Sequence, residues 1–187
     1  MRTLRALVAL AALSACAPSV PPPPAIQAAE PGTTTVIVVR HGEKAAEPAA
    51  DPPLTAAGAA RAEALVELLR GVPVRAVLST DFARTRSTVA PLAARLGLTT
   101  RLVDARARDH ARHVAADVLA RYRGQTVVVA GHSNTVPDIV AALGAPKPPN
   151  ICDSEYDNLY IVRRPPGRPR WSGGSTARRA SWPRRAG

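Results

Sequence analysis

Three stretches typical of buried strands are each followed by polar side chains. The first leads into residues 40–44 (Arg-His-Gly-Glu-Lys), the second into residues 79–81 with Arg84 shortly after, and the third into residues 131–134 (Gly-His-Ser-Asn). Imidazole groups act as nucleophiles, acids or bases, and guanidinium groups bind anions. A single histidine after a strand is usually an ordinary loop residue. Two histidines and two arginines at three strand ends instead favour one common site.

The elements that carry these residues alternate between strand and helix. Apolar and β-branched runs predict strands, and apolar spacings of three and four residues with closing glycines predict helices. The strands are predicted at 34–39, 74–78, 100–103, 126–130 and 159–162, and the helices at 55–70, 82–96, 109–123 and 135–143. This alternation predicts a three-layer α/β/α sandwich with a mostly parallel central sheet. Ligands of such sheets bind beyond the carboxyl ends of the strands.

The net charge of the 187-residue chain is +11, but its basic excess lies at the ends. Residues 163–187 hold eight arginines and no acid, whereas residues 6–162 are close to neutral. The distribution therefore argues against a specific nucleic-acid partner. Four prolines, four glycines and no apolar periodicity predict a disordered tail at 163–187. A solvated tail without a partner is the preferred interpretation, and binding to nucleic acid or anionic lipid is the alternative.

The N-terminus has the pattern of an export signal. Residues 1–15 begin with Arg2 and Arg5 and continue with a short apolar stretch. Leu-Ser-Ala-Cys at residues 13–16 resembles the bacterial lipobox, which implies a lipid-anchored Cys16, a membrane partner and a cell-envelope location facing the periplasm or exterior. An ordinary cleaved signal, and hence a secreted protein, is the alternative. Residues 16–32 are rich in proline and are interpreted as a spacer without a role in the core.

Other features exclude further classes of protein. Two cysteines do not make a disulfide-rich scaffold, and no apolar run reaches the ~18 residues of a membrane-spanning helix. His110 and His113 lie three residues apart on a predicted helix. They are interpreted as surface residues rather than as metal ligands, because no third ligand is evident. No metal or other cofactor is expected.

Residues 34–162 resemble the histidine phosphatase superfamily, which is also called phosphoglycerate mutase-like. The resemblance rests on an ordered set of segments: Arg-His-Gly at 40–42, Leu-Thr-Ala-Ala-Gly at 54–58, Ser-Thr-Asp-Phe-Ala-Arg at 79–84 and Gly-His-Ser-Asn at 131–134. It implies a phosphoglycerate mutase-like fold for a domain at 33–162. It also implies catalytic roles for four residues: Arg40, His41, Arg84 and His132.

The resemblance implies a metal-independent phosphatase. His41 would attack phosphorus and become a transient phosphohistidine, kept uncharged by the cations Arg40 and Arg84. The two arginines and a protonated His132 would hold the phosphoryl oxygens. The substrates would be phosphate monoesters or phosphohistidine, carried by a small phosphorylated molecule or a phosphoprotein. The alternatives are a phosphomutase, against which the absence of long inserts argues, and an inactive phosphate-binding module.

The proton donor to the leaving group is open. Many members of the family use a carboxylate between the second and third segments, where this chain has Asp104, Asp109 and Asp117. Asp104 is the preferred candidate because it follows the third predicted strand, and Asp109 is the alternative. Asp117 lies within the predicted helix. Asp104 can equally be a turn residue that precedes a helix.

Overall fold

The computed structural model describes residue 26, residues 30–167 and residues 176–181. These residues form six strands: β1 (Thr34–Arg40), β2 (Val74–Thr80), β3 (Arg101–Val103), β4 (Thr126–Gly131), β5 (Asn158–Arg164) and β6 (Thr176–Ser181). They also form four helices: α1 (Ala56–Leu68), α2 (Ala83–Leu96), α3 (His110–Arg121) and α4 (Thr135–Ala142). No helix among them is both long enough and apolar enough to span a membrane.

The strands form one mixed sheet in the order β3-β2-β4-β1-β5-β6. The first four strands of this order are parallel, whereas β5 runs antiparallel to both β1 and β6. Every residue of β1 and β4 is buried, as expected for central strands covered on both faces. The parallel pairing brings the carboxyl ends of β1, β2 and β4 to the same edge of the sheet.

Two apolar clusters cover the two faces of the sheet. Val36, Val38 and the side chains of α3 and α4 form one cluster, and Ile37, Val39 and the side chains of α1 and α2 form the other. Full burial of such an aliphatic side chain contributes about 1.5–3 kcal/mol relative to exposure. The alternation of β1 residues between the clusters produces the three layers, so the predicted α/β/α fold is confirmed.

The C-terminal region departs from the prediction of a disordered tail. β5 continues to Arg164, and residues 176–181 form β6, which pairs with β5 from Asn158↔Ser181 to Arg163↔Thr176. The prediction is therefore wrong for these residues. The stretch shows little apolar alternation, because backbone hydrogen bonds hold it and only the small Ala177 and Ala180 pack against the two clusters. Residues 168–175 and 182–187 lie outside the described part of the chain.

The segment interpreted as a spacer also reaches the core. Ile26 is only 9% exposed and packs in the cluster formed with α1 and α2. The interpretation of 16–32 as a spacer without a core role is therefore wrong at Ile26. Farther along, Thr33 N–H donates to the carbonyl of Glu30 at 3.0 Å, just before β1 begins. The predicted signal at 1–15, with the cysteine that follows it, lies outside the described residues.

Candidate active site

The site forms where β1, β2 and β4 end. His41 directly follows β1, and its N–H donates to the carbonyl of Gly131 at 3.0 Å, which continues the pairing of β1 with β4. His132 follows β4, and its ring centroid lies 5.4 Å from that of His41. Arg84 lies in the first turn of α2, with Nη2 3.5 Å from Nδ1 of His132. Arg40, the last residue of β1, adjoins His41, so all four predicted residues lie at one edge of the sheet.

His41 has the tautomer that a nucleophile requires. Its Nδ1 lies 2.8 Å from the carbonyl oxygen of Gly42, which can only accept a hydrogen bond. Nδ1 therefore carries the hydrogen, and Nε2 keeps its lone pair. Burial, followed by the positive charges of Arg40, Arg84 and Lys44, lowers the pKa of His41 to about 4. The prediction named the arginines as the cause of this neutrality, but burial is the larger cause.

His132 is held between a hydroxyl group and a guanidinium group. Its Nε2 lies 3.0 Å from Oγ1 of Thr80, and its Nδ1 faces Arg84. Burial lowers the pKa of His132 to about 3, and the charges of His41 and Arg84 contribute in the same direction. Without a phosphoryl group the His132 ring is therefore neutral near pH 7, and the protonated His132 expected to hold phosphoryl oxygens stays a prediction for the substrate-bound site. A phosphoryl dianion beside the ring would oppose this effect by favouring the charged form.

Arg84 is oriented by a carboxylate that the sequence analysis missed. Oδ1 of Asp51 lies 3.5 Å from Nη1 of Arg84, and its two oxygens accept the N–H of Ala83 at 2.9 and 3.1 Å. The Phe82 ring packs under the guanidinium at 4.3 Å, and Arg106 stacks on the same ring at 4.6 Å. Asp51 lies in a loop of 45–54 and has no sequence signal beyond its charge. The acidic group thus holds both Arg84 and the start of α2.

Arg40 connects the site to the loop before β5. Its Nη1 donates to the carbonyls of Cys152, Asp153 and Glu155 at 2.7, 3.2 and 2.8 Å, and Nη2 lies 3.5 Å from Oδ1 of Asp153. The Tyr156 ring lies against the guanidinium at 4.3 Å and against the His41 ring at 6.0 Å. Arg40 is almost fully buried, and burial lowers its pKa. This loop therefore forms one wall of the site.

Three further contacts hold the loop after His41 in place. The N–H of Gly42 donates to Oγ1 of Thr88 at 2.9 Å, and that hydroxyl donates to the carbonyl of Arg84 at 2.7 Å. The carboxylate of Glu43 forms a two-pronged ion pair with Arg61 of α1, with Nε 2.8 Å from Oε2. These contacts fix the loop that carries His41 to both helices on that face of the sheet.

The candidate proton donors form no hydrogen bond to the site residues in the part of the chain that the structure describes. Asp104 is exposed, and its Oδ1 accepts the N–H of Arg106 at 2.8 Å, which is a turn contact. Asp109 is exposed at the start of α3 with a φ of 58°, and Asp117 pairs with two arginines. Within the described residues, none of the three hydrogen-bonds to His41, Arg84 or His132. The structure thus favours the turn role of Asp104.

His110 differs from the prediction of a surface residue. It is 8% exposed, and its Nδ1 lies 2.7 Å from the carbonyl oxygen of Asp104, whereas His113 is exposed as predicted. The prediction is wrong for His110 because the first turn of α3 faces the sheet edge. Its positive form lowers the pKa of His132. In the described part of the chain, no three His, Cys, Asp or Glu side chains cluster closely enough to hold a metal ion.

Comparisons with known proteins find a family match over part of the chain and solved structures with the same fold. The sequence model of the histidine phosphatase superfamily, branch 1, matches residues 36–105, which include Arg40, His41 and Arg84. No curated protein matches the chain. The solved structure of the protein histidine phosphatase SixA complexed with tungstate is 22% identical with a TM-score of 0.63, and the match covers 79% of this chain and 96% of SixA.

Two further solved structures have the same fold. A mycobacterial glucosyl-3-phosphoglycerate phosphatase is 17% identical with a TM-score of 0.62, over 80% of this chain and 98% of that protein. YhfR from Bacillus stearothermophilus is 16% identical with a TM-score of 0.60, over 79% of this chain and 96% of that protein. The chain therefore has the fold of the histidine phosphatases, and residues 36–105 match the histidine phosphatase superfamily, branch 1.

Proposed function

We propose that this chain is a phosphatase that works through a phosphohistidine on His41. The observation that carries the proposal is a neutral imidazole beside guanidinium groups with unused donors. Nε2 of His41 keeps its lone pair, and the Nε–H groups of Arg40 and Arg84 are buried without a hydrogen-bond partner in the described residues. Buried N–H donors normally have partners, and a phosphoryl oxygen would supply them.

The proposed reaction has two steps. First, Nε2 of His41 attacks phosphorus, a P–N bond forms, and the bond to the leaving group breaks with its electron pair on the leaving group. Second, water attacks the phosphohistidine, the P–N bond returns its pair to Nε2, and phosphate leaves. The proton that the water loses goes to the solvent and replaces the proton that the leaving group takes up from it. Arg40 and Arg84 stabilise the negative charge on the phosphoryl oxygens throughout. Loss of one such donor typically costs ~2.7–4 kcal/mol of transition-state stabilisation.

His132 completes the phosphoryl site in this proposal. Its Nδ1 faces Arg84, so it lies on the side where the phosphoryl group would bind. The dianion would draw a proton onto Nδ1, and the resulting imidazolium would donate to a phosphoryl oxygen. Binding of the substrate would thus induce the positive charge that His132 needs.

The positions of the carboxylates favour substrates with a good leaving group. Asp104 binds the backbone of its own turn, and Asp117 pairs with arginines of β3 and α3. An imidazole or an aryl oxide leaves with less help from an acid than an alkoxide does. Phosphohistidine in a protein is therefore the preferred substrate class, in line with the description of SixA as a protein histidine phosphatase. Other phosphate monoesters are the second class.

Hydrolysis of an aryl phosphate in the presence of EDTA tests the proposal. We expect turnover and an acid-labile, alkali-stable phosphoenzyme, both of which His41→Ala abolishes. His113→Ala is the matched control, because His113 is exposed on α3. Turnover that survives His41→Ala would refute the proposal. Tight phosphate binding without turnover would indicate a binding module, and transfer to a second hydroxyl group in place of water would indicate a phosphomutase.

A further inference from the structure

Two buried threonines form a chain of hydroxyl groups behind His132. Oγ1 of Thr85 lies 2.8 Å from the carbonyl oxygen of Phe82 and 2.6 Å from Oγ1 of Thr80. Oγ1 of Thr80 in turn lies 3.0 Å from Nε2 of His132. Both threonines have no exposed surface, so water does not compete for these contacts.

Two nearby carbonyl oxygens favour one direction for this chain of hydroxyl groups. A carbonyl oxygen only accepts, and the one hydroxyl hydrogen of Thr85 is directed at the carbonyls of Phe82 at 2.8 Å and Thr80 at 3.3 Å. Thr85 therefore accepts from the hydroxyl of Thr80 at the 2.6 Å contact. The hydroxyl hydrogen of Thr80 is then used, and Thr80 can only accept from His132. In this direction the hydrogen of the neutral His132 ring lies on Nε2.

We propose that Thr80 and Thr85 are positioning residues that fix the tautomer of His132, an inference that rests on the proposed phosphoryl transfer. With Nε2–H bound to Thr80, the lone pair of the neutral ring lies on Nδ1, which faces Arg84 at 3.5 Å. Nδ1 is thus the one atom of the ring that gains and loses a proton. The ring accepts a proton on the side where the phosphoryl group binds.

The direction of the hydroxyl chain also allows the positively charged form of the His132 ring. An imidazolium needs acceptors for both N–H groups. Nε2–H keeps its bond to Thr80 in both forms, and Nδ1–H would donate to a phosphoryl oxygen. If the direction were reversed and Thr80 donated to Nε2, protonation of Nε2 would break the hydrogen bond between Thr80 and His132. The threonines therefore support the proton uptake that the substrate induces.

Nitrogen-15 spectroscopy of the histidine rings tests the tautomer directly. The chain has only four histidines, and His132→Gln assigns the signal. At neutral pH we expect the Nε2–H tautomer at His132, kept in Thr80→Ser and shifted towards Nδ1–H in Thr80→Val. Thr85→Val should have the same effect, because it frees the Thr80 hydroxyl to donate to Nε2. Thr35→Val is the matched control, since Thr35 is a buried strand residue whose hydroxyl has no partner among the described residues.

Kinetics with an aryl phosphate give the second readout. We expect Thr80→Val to lower kcat by about 10- to 100-fold with little change in KM, and Thr80→Ser to recover most of it. The pH profile should change as well, because the charged and titratable groups around His132 (Arg40 at the end of β1, His41 directly after it, Arg84 from α2 and His110 from α3) then act on a ring with its hydrogen on Nδ1.

The two readouts separate this inference from the proposed function. An Nδ1–H tautomer in the wild-type protein would overturn the inference, whether or not the protein hydrolyses phosphate and whether or not Thr80→Val folds. An unchanged spectrum in a folded Thr80→Val protein would overturn it too. A wild-type protein with the Nε2–H tautomer but no turnover would contradict the phosphatase and leave the tautomer assignment standing.

Discussion

Gly42 and Gly58 lie in direct backbone contact. A Cβ on Gly42 would be 2.9 Å from the carbonyl oxygen of Gly58, and a Cβ on Gly58 would be 2.3 Å from the carbonyl oxygen of Glu43. Real side chains do not approach backbone atoms so closely. The loop that follows His41 therefore packs directly on the first turn of α1. This close packing is possible only because Gly42 and Gly58 have no side chains.

This contact predicts that Gly58→Ala destabilises the protein. In an ordinary helix the change would stabilise by about 0.5–1 kcal/mol. Here the methyl group must displace the backbone of Glu43, so we expect a loss of about 1–3 kcal/mol in the free energy of unfolding. Activity should fall as well, because the displaced loop carries His41. Urea unfolding and an aryl phosphate assay measure the two effects.

Ala59→Gly is the control for that prediction, because it changes an exposed neighbour in α1. It should cost about 1 kcal/mol through helix propensity alone and leave activity intact. A Gly58→Ala protein as stable as the wild type would show that the loop after His41 can shift without penalty, contrary to the close contact described.

The lowered pKa values of His41 and His132 predict that stability falls in mild acid. The pKa is about 4 for His41 and about 3 for His132, against 6.5 for an unperturbed histidine. Below pH 6.5 the unfolded chain therefore takes up protons that the folded chain refuses. The free energy of unfolding should drop by roughly 2 kcal/mol per histidine between pH 7.5 and pH 5.0.

Urea unfolding at a series of pH values checks this slope. In His41→Gln and His132→Gln the decline between pH 7.5 and pH 5.0 should be about half as steep. His113→Gln, at an exposed position, should retain the wild-type slope. Constant stability over this pH range would mean that the two rings are not held neutral by burial.

Asp104→Asn tests the role of the first candidate acid. The carboxylate accepts a backbone N–H in its own turn, and an asparagine oxygen can accept the same bond. We expect alkyl and aryl phosphates to be slowed equally, by less than about twofold. A selective loss with the alkyl phosphate would instead identify Asp104 as the proton donor, since only a poor leaving group depends strongly on an acid.

The lipobox-like sequence predicts where the protein resides. We propose that Cys16 is lipidated and anchors the chain in the bacterial cell envelope. Wild-type protein expressed in a bacterium should partition with membranes and stay there in a high-salt wash, because an acyl anchor is not screened by salt. Cys16→Ala should abolish this retention. Release by salt would instead point to the arginine-rich C-terminus, at about 1 kcal/mol per basic residue close to the surface.

The sequence predicted the elements and residues that carry a local signal. β1 and β4 are runs rich in β-branched residues, and His41 and His132 directly follow them. Because the two strands pair in parallel, both histidines lie at the same edge of the sheet. The loop at 152–156 carried no such signal. Its contacts with Arg40 use backbone carbonyls, which every residue has, and they join positions more than 110 residues apart. Asp51 and His110 were missed or misplaced for the same reason, since their roles depend on loops brought together by the fold.

The placement of β6 has a consequence for the solubility of the folded chain. Without it, the apolar residues 159–162 of β5 would form an open sheet edge, which is a template for pairing with another chain. β6 takes that place, and its Arg178 and Arg179 are exposed, one on each face of the sheet. Adjacent positive charges on an outermost strand repel the same strand of a second molecule. β6 thereby protects this edge of the sheet from pairing with another molecule, and a chain cut after β5 would lose that protection.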